Sequence, residues 1–434
     1  MINTLEELKS GTLLGTKRLK LSCDLKEFPK EILLLHETLE ILDLSNNKLS
    51  SLPDNIVKLK KLKIIFLSFN DFIEFPAVLA NFPVLNMIGF KANQIKTIPE
   101  NAFPEKLNWL ILTDNKIEKI PDSIGNYKLL QKFMMAGNLI KELPKSLYEC
   151  KNLELFRISN NKIKVLPEWL FKMPKLSWIA FEGNKEVKPL KLGSNLKSFN
   201  WKDFEIVKDI GEGASGVISE AFWKLENKKV AIKIFKGAVT SDGSPDDEMK
   251  IAIEAGIHEN LIPVLGKINN HPKGNNGLIL ELIPNCYSNL GNPPNFKTCT
   301  RDVFDGNKTI SLKQALKIAT YIASVCAHLH NKGINHGDLY AHNILINTEM
   351  DCLLCDFGAA SLYDRNSAKA YNIERIEIRA FGCLLEDLLN LTNERANETD
   401  LYFKCEQIID KCRNYDVKKR FSFSEILNIM RNLV

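Results

Sequence analysis

The sequence predicts a multidomain chain: an α/β repeat solenoid over residues 1–190, a linker at 191–203 and a second domain over 204–434. Two observations carry this reading. A 22- to 23-residue self-similarity fills the first half, and a different set of glycine, lysine and aspartate motifs begins beyond residue 203. The length of 434 residues also exceeds what one hydrophobic core usually holds.

The bulk properties exclude several function classes. Hydrophobic residues make up 45% and charged residues 26%, as in ordinary globular protein. A net charge of +5 is dispersed over the whole chain, so no nucleic-acid partner is expected. Residues Met1 to Gly15 mix apolar with charged side chains, and no secretory signal is expected there. No apolar run approaches the length of a spanning helix, so no membrane span and a cytoplasmic location are expected. Among ten cysteines, Cys352 and Cys355 form a lone C-x-x-C without the second ligand pair that a zinc site needs. They read as apolar residues of a buried strand, and reduced thiols suit the cytosol.

From Leu39 onward the template L-x-x-L-x-L-x-x-N-x-L recurs, its first position falling at Leu39, Leu62, Leu85, Leu107, Leu130, Leu153 and Leu176. The asparagine column is Asn47, Asn70, Asn93, Asn115, Asn138, Asn161 and Asn184, and a proline follows the first six at a fixed offset, from Pro53 to Pro167. Leucines of one short repeat cannot be buried alone, so neighbours must stack. The asparagine amide can satisfy backbone groups of adjacent turns, and the proline fixes φ where the chain leaves the strand. In these columns residues 16–190 resemble the leucine-rich-repeat family of the short intracellular type, which implies a leucine-rich-repeat solenoid.

Strand alternation predicts which side chains reach the concave face. One column reads Ile41, Ile64, Met87, Trp109, Lys132, Leu155, Trp178, and the next Asp43, Phe66, Gly89, Ile111, Met134, Arg157, Ala180. An apolar stripe of Ile64, Phe66, Met87, Trp109, Ile111, Met134, Leu155 and Trp178 predicts a protein substrate or partner there, or a neighbouring domain that covers it.

In the second half, Ile210 to Val217 carries the glycines Gly211, Gly213 and Gly216 and reads as G-x-G-x-x-G-x-V with Val217 as its valine. The segment after Gly216 reads as a strand, whereas a dinucleotide site would need a helix. Val230-Ala231-Ile232-Lys233 follows, then His336-Gly337-Asp338 with Asn343 five residues on, then Asp356-Phe357-Gly358. In this order the chain from about Phe204 to its end resembles the protein-kinase family. The resemblance implies an α+β bilobal fold, with lobes at about 204–283 and 284–434, that binds ATP and Mg2+. It implies that Ile210, Gly211, Gly213, Gly216, Val217, Ala231 and Lys233 surround the nucleotide, with Glu248 as the acidic partner of Lys233. Leu280 is the expected gatekeeper, and backbone around Glu281 to Ile283 is expected to bond adenine. Asp338 is the expected catalytic aspartate, and Asn343 and Asp356 the magnesium ligands.

The chain departs from the family pattern at three places. Gly337 stands where arginine precedes the catalytic aspartate, and Tyr340 stands where a lysine faces the transferred phosphoryl group. The segment after Gly358 is short and lacks A-P-E, which leaves Arg420 without its usual acidic partner; Glu374 and Glu377 are the candidates to replace it. The leading expectation is an ATP-dependent serine/threonine-type kinase with a constitutively assembled site, whose repeats recruit substrate or partner. The alternatives are an ATP-binding pseudokinase adaptor and a small-molecule phosphotransferase, since H-G-D followed by Asn343 also resembles aminoglycoside and choline kinases. The insertion at 284–310, with Cys299-Thr300-Arg301-Asp302, has no functional account from sequence.

Overall fold

The computed structural model describes residues 2–185, 196–213, 215–237, 239–306, 308–392 and 400–433; the predicted boundary at 190 and linker residues 191–195 lie outside these. The chain divides into two units, Met1–Leu170 with Asn184–Glu186, and Phe171–Gly183 with Val187–Val434. The division therefore departs from the sequence periodicity. Phe171–Gly183, the body of the last repeat, packs with the second unit.

The first unit opens with a short helix, α1 (Leu5–Lys9), whose Thr4 cap and Glu7 form a capping box. Seven three-residue strands follow: β1 (Arg18–Lys20), β2 (Ile41–Asp43), β3 (Ile64–Phe66), β4 (Met87–Gly89), β5 (Trp109–Ile111), β6 (Lys132–Met134) and β7 (Leu155–Arg157). They pair in parallel and in register, so that Ile41, Ile64, Met87, Trp109, Lys132 and Leu155 form one row. The central residue of each strand points inward, and Leu42, Ile65, Ile88, Leu110, Phe133 and Phe156 are fully buried.

The asparagine column does what an unpaired backbone requires. Asn115 accepts a hydrogen bond from Ile95 N at 3.0 Å and donates to Phe90 O at 2.9 Å, both in the preceding repeat. Asn138 repeats the pattern with Ile117 N and Leu112 O, and Asn161 with Ile140 N and Met135 O. Pro53, Pro76, Pro121 and Pro144 each sit at the N-cap of a 3-10 helix on the return path, with φ between −64° and −73°. A preset φ at a helix entry suits proline, which has no N–H to leave unpaired.

The concave stripe is less open than the sequence suggests. Ile64, Met87, Met134 and Leu155 are buried, while Phe66, Trp109 and Ile111 remain half-buried. The Phe66 ring lies over Gly89, where a Cβ would come within 2.7 Å of it. The Lys132 ammonium stands 4.1 Å from the Trp109 ring centroid.

The second unit contains β8 (Trp178–Ala180) and a six-stranded sheet of β9 (Ser198–Asn200), β10 (Phe204–Glu212), β11 (Gly216–Trp223), β12 (Lys228–Phe235), β13 (Val264–Asn269) and β14 (Gly277–Leu280). The order is β10-β11-β12-β14-β13-β9, antiparallel except at β9, which lies parallel to β13. The segment read as linker thus supplies an edge strand. Helix α2 (Pro245–Ala255) packs on this sheet, capped by Ser244 with proline at its first position. Below it come β15 (Ser288–Asn289), α3 (Leu312–Asn331), β16 (Ile334–Asn335), β17 (Ile344–Ile346), β18 (Cys352–Leu354), β19 (Ser361–Leu362), α4 (Ala370–Asn390), α5 (Asp400–Cys412) and α6 (Phe423–Arg431). Ser311 with Gln314 and Ser422 with Glu425 cap α3 and α6 by the same reciprocal box. Among the described residues no helix is long and apolar enough to cross a membrane.

Candidate functional site

A cleft of about 440 Å³ opens between the six-stranded sheet and the helical part of the second unit. Gly211, Gly213, Gly216, Lys233, Glu248, Leu280, Asn343 and Asp356 all line it. The glycines differ in their reasons. At Gly216 a Cβ would stand 2.4 Å from Ile234 O, so packing demands glycine. At Gly213 a Cβ would meet nothing within 4 Å, so packing within the fold does not demand glycine there.

Lys233 projects from β12 and pairs with Glu248 of α2. Helical spacing explains why Glu248 serves: it shares a buried face with Ile251 and Ala255, while the next residue, Met249, packs against Phe235, Ile253 and Leu278. Burial and the nearby Asp356 push the Glu248 carboxyl upward, against the pull of the Lys233 ammonium.

The loop between β16 and β17 is held from several sides. Asn343 donates from Nδ2 to Asp338 Oδ2 at 2.7 Å and to Asp338 O at 3.0 Å. An amide whose NH2 is committed to Asp338 carries its oxygen on the opposite side. That oxygen and the exposed Asp356 carboxylate are hard donors suited to Mg2+. Asp338 does not itself line the cleft and is joined to it through its bonds with Asn343.

Five further expected positions do not line the cleft. Counting from Gly211, the last position of the glycine pattern is residue 218, and Ile218 rather than Val217 lines the cleft, because neighbours on a strand face opposite ways. Ile210 is exposed on β10 and does not line the cleft. Ala231 pairs with Leu280 across the sheet and shares the face of β12 that carries Lys233, where it is buried and does not itself line the cleft. Ile283 lies in a second recess with Val207 and Lys229. Glu281 pairs with Lys228, and its N–H donates to Pro263 O at 3.0 Å.

The sequence gives no hint of the supports that hold this loop. Glu377 of α4 is fully buried and accepts from Gly337 N at 2.7 Å, His336 N at 3.3 Å and His330 Nε2 at 2.8 Å. Asp302 of the insertion accepts from His342 N at 3.1 Å and faces His342 Nδ1 at 2.7 Å. The neighbouring Arg301 ties the insertion to α4 through Glu386, Asp387 and Cys383 O. Neither Glu374 nor Glu377 partners Arg420. Its guanidinium donates instead to the carbonyl oxygens of Asn414, Arg375 and Pro174.

Trp178 is likewise not open to a partner. It is 1% exposed, stacks on Tyr340 with centroids 4.4 Å apart, and donates from Nε1 to Leu339 O at 3.0 Å.

A family model for the protein kinase domain matches residues 204–375, and one for the leucine-rich repeat matches residues 38–59. The second unit carries a protein kinase domain. The chain has distant relatives. A probable serine/threonine-protein kinase of Dictyostelium discoideum is 23% identical over 279 residues, 55% of this chain and 44% of the relative. A second such protein of that organism is 28% identical over 172 residues, covering 38% and 9%. A tyrosine-protein kinase receptor of Danio rerio is 26% identical over 176 residues, covering 39% and 20%. The chain thus spans less than half the length of these curated relatives.

Beside the kinase domain's β19, Glu182 accepts from Leu362 N at 2.7 Å, and burial pushes its carboxyl up to about 7. The folded chain therefore keeps a proton that the unfolded chain has released, and stability falls as pH rises toward and through 7. Glu182→Gln keeps an acceptor without the charge. Relative to wild type it should gain about 1–2 kcal/mol on going from about pH 5 to about pH 8, read by thermal denaturation at both. A stability difference independent of pH would remove Glu182 as the cause.

Proposed function

We propose that this chain is an ATP-dependent protein kinase that transfers the γ-phosphoryl group to serine or threonine hydroxyls. The observation that carries the reading is the convergence of the Lys233–Glu248 pair, Asp356 and Asn343, to which Asp338 is bonded, on one glycine-roofed cleft. The Dictyostelium relatives favour serine/threonine over tyrosine acceptors.

In this mechanism the backbone at Gly211 and Gly213 lies over the phosphates, and Lys233, held by Glu248, takes the α and β phosphates. Asn343 and Asp356 would hold Mg2+, which neutralises phosphate charge when bound. Leu280 backs the adenine. Asp338 accepts the proton of the attacking hydroxyl, while Asn343 fixes its carboxylate in place. Positioning and charge neutralisation supply most of the acceleration. Glu377 and Asp302 keep the loop in one conformation, so the site is assembled without an arginine before Asp338. This is a non-RD kinase with a short activation segment. The half-buried Phe66, Trp109 and Ile111 are the remaining concave positions for a protein substrate or partner, and the thiol-rich chain suits a cytoplasmic setting.

One observation favours an adaptor that binds ATP without efficient transfer: Tyr340, in place of a lysine, is buried under Trp178 and brings no cation to the phosphoryl group. Transfer of label from γ-labelled ATP, to the chain itself and to a generic basic protein, decides between the two. Incorporation that needs magnesium and is abolished by EDTA is expected. Nucleotide binding without incorporation would replace the kinase reading with the adaptor.

A further inference from the structure

Three features depart from the protein-kinase pattern in sequence: Gly337, Tyr340 and an Arg420 with no acidic partner. All three meet one short segment, Pro174–Glu182, which carries the leucine column of the last repeat and packs inside the second unit. Gly337 adopts φ +73°, and a Cβ there would stand 2.4 Å from Ile179 O and 2.6 Å from Ala359 O. Any side chain at 337 would therefore push this segment away. Tyr340 receives the Trp178 indole, with ring planes 8° apart. Arg420 donates to Pro174 O, and Arg379 of α4 donates to Ser177 Oγ at 3.1 Å.

The same segment also holds the chain beyond Asp356. Phe181 N and Glu182 N both donate to Ser361 Oγ, at 2.9 and 3.2 Å, and Glu182 accepts from Leu362 N. Asn335, at the start of the catalytic loop, donates to Ile179 O at 3.3 Å. One strand of the last repeat thus grips the loop before Asp338, the loop after it and the strand beyond Asp356-Phe357-Gly358.

From this convergence we infer that Pro174–Glu182 is a fixed part of the catalytic domain that braces the short segment beyond Asp356, and that Trp178 is a positioning residue for phosphoryl transfer. Its indole holds the two residues after Asp338, Leu339 by its carbonyl and Tyr340 by its ring. The Asp338 carboxylate is then set by the repeat side of the chain. The inference rests on the phosphotransfer reading, since positioning matters only where Asp338 acts.

The test uses the full chain, with the basic protein as acceptor, and two variants. Trp178→Ala removes both holds, and Trp178→Phe keeps a ring over Tyr340 but loses the Nε1–H donor. Trp178→Ala should lower kcat about 10- to 100-fold with KM for ATP within about twofold, because a displaced loop costs rate and leaves the nucleotide contacts alone. Trp178→Phe should recover a large part of the loss. Amide exchange should rise in residues 335–343 of Trp178→Ala, measured where the protein is still folded. Unchanged kcat would overturn the inference, as would a loss that only tracks the unfolded fraction or raises KM in step. A wild-type chain that transfers no phosphate would sink the phosphotransfer reading alone. Exchange would then test the fixed segment by itself: added exchange confined to 335–343 supports the hold of Trp178 on the loop, and unaltered exchange overturns it.

Discussion

Asp338→Asn should bind ATP like the wild-type chain and lose phosphate transfer by about 10²- to 10⁴-fold, the range for removing a positioned general base. The variant is informative because it perturbs so little else. Asn343 donates to Asp338 Oδ2, and an asparagine at 338 can still offer an amide oxygen at that place. The nucleotide contacts come from other elements, with Lys233 on β12, Glu248 on α2 and Leu280 on β14. Nucleotide affinity and transfer should therefore separate, as titration with an ATP analogue and label incorporation would measure. A variant with wild-type turnover would show that Asp338 takes no proton. A variant that lost ATP binding as well would show that the loop, rather than the carboxylate, had been damaged.

Much of the solenoid was legible because its signal repeats. A leucine buried by stacking, an asparagine that bridges adjacent turns and a proline at a helix entry each recur in register, and Asn115, Asn138 and Asn161 make the same bonds. The cleft was legible for another reason: a glycine loop, a lysine and two metal-competent side chains keep a fixed order along the chain. Glu248 was the expected acidic partner of Lys233, and it lies on the buried face of α2 where it meets that lysine. Val217 was a slip of one residue, and in a strand that slip exchanges the two faces, so Ile218 takes the place.

What stayed hidden depends on contacts between distant parts of the sequence. Trp178 and Leu339 are 161 residues apart, and His342 and Asp302 are 40 apart. Nothing local marks either pair. The strand pattern of the last repeat gave Trp178 the same concave position as Trp109, yet Trp178 is covered by Tyr340 while Trp109 is half-buried under Lys132. Gly337 and Tyr340 read as decay in a one-dimensional comparison. In three dimensions they are the shape and the ring that the last repeat requires. Arg420 gave the clearest signal of something missing, and its answer was a backbone carbonyl at Pro174, which no side-chain pattern could disclose.

The loop's dependence on α4 gives the largest expected stability effect. Glu377 is fully buried and is the shared acceptor for two backbone N–H groups, those of His336 and Gly337, and for the His330 ring. Burial alone would raise its carboxyl, but the hydrogen bond from His330 and the charge of the surrounding groups outweigh it and hold it below the usual range. Its charged form thus contributes stability above about pH 4.5 that is lost as pH falls through the depressed folded value. Glu377→Ala strips three buried donors of one partner, and a cost of about 3–5 kcal/mol is expected, as when half of a buried ion pair is removed. Glu377→Gln should be milder yet still costly, because one amide oxygen cannot serve donors on both carboxylate oxygens and its NH2 would meet one of them. Urea unfolding at about pH 7 should rank the three proteins wild type, Gln, Ala in falling stability. Phosphate transfer by the folded Gln variant should fall as well, since His336 and Gly337 lead directly into Asp338. A Gln variant as stable and as active as wild type would show that packing around α4, rather than the buried carboxylate, fixes the loop.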